Sequence, residues 1–300
     1  MTGVEPFIYH ERIDEAAVRS VKQIRQRSIK RPTGRLAYTR EGRGPAVLLI
    51  QGCGVVGNGW RPQVDGLADR YELFTFDNPG IGDSELNGTL TVEAMAADAL
   101  AIMDAERVDR FHLAGHSLGG LVAQQVALTT PQRVKSLALL CTFARGAQGA
   151  RMSPSLLATA LRMRVGTRPM RRRAFLELVM PRSYLSTVDS ADLARRLAPL
   201  FGRDLADNPS IMMTQVRAMS RFDAASKLSA LSSIPTLVVS AAHDRIARPA
   251  YGRQLARAIP GARYVEITDA GHGVTMQCRD TVNGLLGEHL AVVERALSPA

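Results

Sequence analysis

Short apolar runs of strand length alternate with longer stretches of helical spacing along most of the chain. Residues 47–51, 73–77, 111–114 and 137–141 are such runs, preceded by a mixed segment at 35–40. Between them, 60–69, 92–106 and 118–128 place apolar side chains three and four apart, the period of a helix with one buried face. The alternation resumes late in the chain, with strands at 237–240 and 264–267 and helices at 249–258 and 281–296. Strand, helix, strand in this rhythm predicts an α/β architecture, a parallel sheet covered on both faces. The rhythm breaks at 144–221, which reads as short helices separated by Pro154, Pro169, Pro181, Pro199 and Pro209. Residues 1–32 form a separate N-terminal arm with helical character over 14–30. The expected organisation is therefore an arm at 1–32, a core at 33–143 and 222–300, and a helical insertion at 144–221.

The apolar run 111–114 leads directly into Gly115-His116-Ser117-Leu118-Gly119-Gly120 and then into a helix. A serine with glycine two residues to either side can occupy a tight strand-to-helix turn, since glycine brings no Cβ to a close backbone approach. Such a turn exposes the hydroxyl at the strand's C-terminal end. A serine hydroxyl is a poor nucleophile until a base takes its proton and a third group orients that base. The ends of the two late strands supply both groups: Asp244 in Ala241-Ala242-His243-Asp244 and His272 in Asp269-Ala270-Gly271-His272-Gly273. All three residues fall past strand C-termini, the edge of an open α/β sheet where ligands bind. Ser117 is thus the expected nucleophile, His272 the general base and then acid, and Asp244 its orienter. Asp269 and Asp223 are the competing carboxylates, and Asp269 lacks the matching strand-end loop.

At these residues the chain resembles the α/β-hydrolase fold family from about residue 35 to residue 290, with the order Ser…Asp…His. The resemblance implies a mostly parallel sheet with helices on both faces and an inserted helical cap, or lid, at 144–221. Leu48-Leu49-Ile50-Gln51-Gly52-Cys53-Gly54 is similar to the family's oxyanion loop, and 76–84 to the turn after the following strand. The backbone N–H groups of Leu118, at the start of the nucleophile helix, and of Cys53 are the expected oxyanion donors. Two positions depart from the family pattern: Gln51, where many relatives have histidine, and Ser240, where glycine is commoner. The Cys53 thiol is a rival nucleophile on residue type alone, but no base lies near it in sequence.

Seven of the chain's 11 methionines fall in the insertion, which suits an adaptable apolar surface. Met152, Met163 and Met213, together with Gly52 and Gly54, are the expected substrate contacts, and the insertion's arginines are candidates for holding a carboxylate. The expected reaction is hydrolysis of a carboxylic ester, thioester or lactone of a moderately sized, largely apolar substrate through an acyl-enzyme. Two readings stand beside it: a carbon–carbon bond hydrolase or enol-lactonase of aromatic catabolism, and a non-catalytic ligand receptor on the same fold.

Composition narrows this further. A chain of 300 residues, 46% hydrophobic, can bury a substantial core. Three widely spaced cysteines form neither a disulfide framework nor a metal-site spacing. The chemistry needs no metal and no organic cofactor. The first 12 residues lack the apolar stretch of a signal peptide, and no run approaches the length of a membrane span. A cytoplasmic protein without stable membrane association is expected. The net charge of +10 comes from 34 arginines and four lysines, mostly dispersed, with no nucleic-acid-binding module among them. The expected partner is a small-molecule substrate, with no nucleic acid. Homo-oligomerisation through the N-terminal arm is the remaining partner expectation.

Overall fold

The computed structural model describes residues 26–150 and 153–297. Eight strands, β1 (Arg27–Arg31), β2 (Gly34–Gly42), β3 (Ala46–Ile50), β4 (Glu72–Phe76), β5 (Phe111–His116), β6 (Val134–Leu140), β7 (Thr236–Ala241) and β8 (Arg263–Ile267), form one sheet. Their order is β1-β2-β4-β3-β5-β6-β7-β8; β2 pairs antiparallel with both neighbours and all other pairs are parallel. Every residue of β3, β5 and β7 is buried, as the unbroken apolar runs require of strands covered on both faces. Helices α1 (Arg61–Leu67), α2 (Val92–Ala105) and α3 (Leu118–Thr129) follow β3, β4 and β5. α2 packs on α3, and α3 on β5 and β6.

Among the described residues six α-helices lie between β6 and β7: α4 (Gly146–Ala150), α5 (Pro154–Arg162), α6 (Arg168–Val179), α7 (Arg182–Leu185), α8 (Ser190–Phe201) and α9 (Ile211–Arg221). They bury a small apolar cluster of their own, which includes Phe175, Leu176, Leu193 and Leu197. Phe175 and Phe201 meet edge to face at 5.0 Å. At the neck of this insert the two crossing chains pair: Gly146 N–H donates to Phe222 O (2.9 Å) and Ala224 N–H to Ala144 O (3.1 Å). Beyond it, α10 (Pro249–Ala258) packs on β7 and β8, while α11 (Val274–Gln277) leads into α12 (Arg279–Leu297), which packs on α1.

The N-terminal expectation needs correction. Residues 27–30, expected at the end of a helix, form edge strand β1 with Arg31, so the sheet begins at Arg27 rather than after residue 33. Of the apolar stripe Val18, Val21, Ile24 and Ile29 that suggests the helix, only Ile29 falls here, and the charged residues beside it have partners distant in the chain. Arg27 donates to both oxygens of Glu106 (2.7 and 2.9 Å) and Arg31 to Asp98 (3.1 Å), while Ile29 packs on the core. The rest of the expected helix and the arm's pairing role lie, up to residue 25, outside the described residues. Among those described, no helix is long and apolar enough to cross a membrane.

Candidate active site

Ser117 sits between β5 and α3 with φ 54° and ψ −119°, a left-handed conformation rare for a residue with a side chain. The flanking glycines explain how the turn closes. A Cβ on Gly115 would meet Gly119 O at 2.2 Å, and one on Gly119 would meet Ile50 O at 2.1 Å. The turn is held by Ser117 N–H donating to Leu140 O (3.0 Å) and Thr142 Oγ1 donating to Ser117 O (2.7 Å).

The structure brings Ser117, His272 and Asp244 together across 155 and 28 residues of chain. His272 Nδ1 lies 2.7 Å from Asp244 Oδ2, and its Nε2 lies 3.0 Å from Ser117 Oγ. A carboxylate can only accept, so Nδ1 carries the proton and Nε2 offers its lone pair to the serine hydroxyl. Asp244 Oδ1 accepts from the N–H groups of Ile246 (2.7 Å) and Ala247 (2.8 Å). Burial works to raise the Asp244 pKa, but His272 and these N–H groups outweigh it and hold the carboxyl below its ordinary value. Neither Asp223 nor Asp269 makes this contact: Asp223 pairs with Arg145, and the Asp269 carbonyl accepts from Gln277.

His116, within the motif but given no role by the sequence, donates its Nε2–H to the backbone oxygen of His272 (2.8 Å) and so braces the loop that carries the imidazole. Burial drives its pKa down to about 3, so it stays neutral. Its signal was not legible, because the acceptor is a carbonyl 156 residues away. His116, Cys141 and His272 are, among the described residues, a grouping with metal-ligand spacing, their donor atoms within 4.8 Å of one another. Both nitrogens of His272 and one of His116 are already hydrogen-bonded, so a metal would have to break the serine–histidine–aspartate relay.

Leu118 is the first residue of α3, so its N–H has no carbonyl one turn back within the helix. Cys53 lies in the loop after β3, where a Cβ on the neighbouring Gly52 would come within 3.0 Å of Ser117 Cβ. Burial pushes the Cys53 thiol up to about 12, against the opposing charge of Arg203, which favours the protonated thiol. Its Sγ faces Met212 O at 3.7 Å.

A cavity of about 1210 Å³ opens over Ser117 and His272, walled by the insert. Gly52, Cys53, Met163 and Met213 line it, together with Met212 and Met219, two more of the insert's seven methionines, and with Met276 from outside the insert. Gly54 does not line it. This expected contact is corrected: Gly54, at φ +72°, packs behind Met212, where a Cβ would sit 3.0 Å from Met212 Cγ. Met152 lies outside the described residues. Of the insert's arginines, Arg164 and Arg171 face the cavity. The other arginines between residues 162 and 173 are tied to acids: Arg162 and Arg173 to Glu177, Arg168 to Asp204 and Asp207, and Arg172 to Asp204. Arg171 Nε is buried without a hydrogen-bond partner.

The family model described as alpha/beta hydrolase fold matches residues 45–277, a span that holds the whole relay. The chain belongs to the alpha/beta hydrolase family. Among its relatives, the proposed carbamate hydrolase RutD of Azorhizobium caulinodans is 29% identical over 84% of this chain and 93% of that protein. Two solved structures superpose on it closely. The enol-lactonase from Burkholderia xenovorans has a TM-score of 0.74 at 26% identity, covering 88% of this chain and 100% of that one. A thermophilic esterase from Thermogutta terrifontis has a TM-score of 0.73 at 27% identity, covering 89% and 98%.

Proposed function

We propose that this alpha/beta hydrolase is a serine hydrolase that cleaves a carboxylic ester, thioester or lactone of a moderately sized, largely apolar substrate through an acyl-enzyme. The observation that carries the reading is the unbroken relay from Asp244 through His272 to Ser117 Oγ at the floor of an apolar cavity. Ser117 Oγ attacks the acyl carbon while its proton passes to His272 Nε2. The charge that develops on the carbonyl oxygen meets the N–H groups of Cys53 and Leu118, donors that can stabilise it without reorganising. His272 gives the proton to the leaving oxygen or sulfur, then takes one from water, which attacks the acyl-enzyme and releases the acid. Asp244 stays ionised throughout and stabilises the imidazolium. The insert acts as the lid over the acyl chain.

Labelling with a fluorophosphonate probe tests this directly. Wild type is expected to label and Ser117→Ala to lose the label. A folded wild type that stays unreactive overturns the reading in favour of a ligand receptor. A second reading, a carbon–carbon bond hydrolase or enol-lactonase, is favoured by Arg164 and Arg171 on the cavity wall, where an acidic substrate group would find a guanidinium without a protein partner at Nε. Turnover of p-nitrophenyl esters against enol-lactones bearing a carboxylate separates the two.

A further inference from the structure

We propose that Gln51 and Gln215 are positioning residues that together aim the Cys53 N–H at the reacting carbonyl oxygen; this deepens the acyl-transfer reading above and rests on it. The loop after β3 presents three successive N–H groups, from Gly52, Cys53 and Gly54. The outer two are taken. Gly52 N–H donates to Gln51 Oε1 (3.0 Å), and Gly54 N–H donates to Gln215 Oε1 (2.8 Å). Among the described residues no protein acceptor is recorded for the middle one, Cys53 N–H.

Both glutamines are sealed from solvent, at 1% and 0% exposure, and in both the Nε2 is buried with no partner. Of a side-chain amide only the oxygen can accept, so the loop N–H groups themselves fix which way each glutamine amide points. Each side chain therefore satisfies one loop N–H and leaves its own amide donor unmet, which is destabilising in a buried place. A loop with two glycines has the torsional freedom to turn its N–H groups away. An oxyanion donor must instead sit 2.7–3.1 Å from an oxygen that exists only in the transition state. Acceptors on both sides of Cys53 remove that freedom. Gln215 belongs to α9, whose Met212 also receives the Cys53 thiol and a contact from Arg203 Nη2 at 3.8 Å. The insert thus builds part of the hydrolytic apparatus, besides covering it.

The test uses Gln215→Met and Gln51→Met in the full chain, with p-nitrophenyl octanoate as substrate, heptylboronic acid as the tetrahedral analogue and octanoate as the product. Turnover is counted per fluorophosphonate-titrated site. Each variant is expected to lose about 10–100-fold in kcat, with KM within about twofold, because the affected donor acts in the transition state. Boronate affinity should fall by the same factor and octanoate affinity should hold. Melting temperature should move little, since an unmet Gly N–H replaces an unmet amide. An active wild type whose variants keep kcat, or lose boronate and octanoate affinity equally, overturns this inference alone. So do two variants that fail to fold, which would make the glutamines structural. A folded wild type that neither hydrolyses the ester nor binds the boronate overturns the hydrolase reading as well.

Discussion

Leu48, Leu49, Ile50 and Leu113 in the sheet are at most 1% exposed, whereas the insert leaves Leu157, Leu161, Val165, Met170 and Met213 between 46% and 62% exposed. The sheet fixes three strand ends so that Ser117, Asp244 and His272 meet to within hydrogen-bond tolerance, which demands close packing and admits no spare volume. The insert does another task. Its wall of methionines and aromatic rings can accommodate ligands of varied shape, because unbranched thioether side chains repack at low cost. Reaction geometry resides in one region and substrate fit in the other, and the two are joined at the loop after β3.

The comparison is broken most severely at the relay. Ser117→Ala should lower ester turnover by about 10⁶-fold, and Asp244→Asn by about 10⁴-fold through loss of the correct imidazole tautomer. Circular dichroism spectra of both variants should match wild type. Next comes Gly119→Ala, whose Cβ has no room beside Ile50 O; it should cost about 3 kcal/mol in urea unfolding.

Acid tests the buried histidines of the sheet side. Burial lowers the pKa of His116 to about 3 and of His289 to about 4, from an ordinary 6.5. Folded, both are neutral; unfolded, both take up a proton below pH 6.5. Their contribution is complete above that pH and is lost as pH falls toward the folded values. Stability should decline by about 1.4 kcal/mol per pH unit for each histidine. His116→Asn should remove one of the two from the slope of denaturation free energy against pH. The smallest effect belongs to the insert: Met213→Ala should shift the preferred acyl length in a p-nitrophenyl ester series by about 3–10-fold, with melting temperature almost unchanged.

What the chain discloses follows from how local each signal is. The strand runs, the glycine pattern around Ser117 and the loops bearing Asp244 and His272 are each set by neighbours in sequence, and they fall where the periodicity places them. Strand β1 was hidden, because Arg27 and Arg31 make sense only beside Glu106 and Asp98. His116 and Gln215 were hidden for the same reason, their partners lying 156 and 161 residues away. Gly54 was read as a substrate contact from its place in the loop, but Met212, from a helix far along the chain, stands between it and the cavity.

The paired neck of the insert has a consequence for how such a protein diversifies. Arg145 faces Asp223 in an antiparallel bridge, with Gly146–Phe222 and Ala224–Ala144 bonded on either side. To β6 and β7, everything between those residues behaves like the tip of a hairpin. Loop-closure entropy grows only slowly with length, so this junction can tolerate a longer, shorter or differently folded segment while the strands beneath keep their register. Lineages can therefore exchange the roof and inherit the furnace intact, provided the newcomer restores an acceptor for the Gly54 N–H.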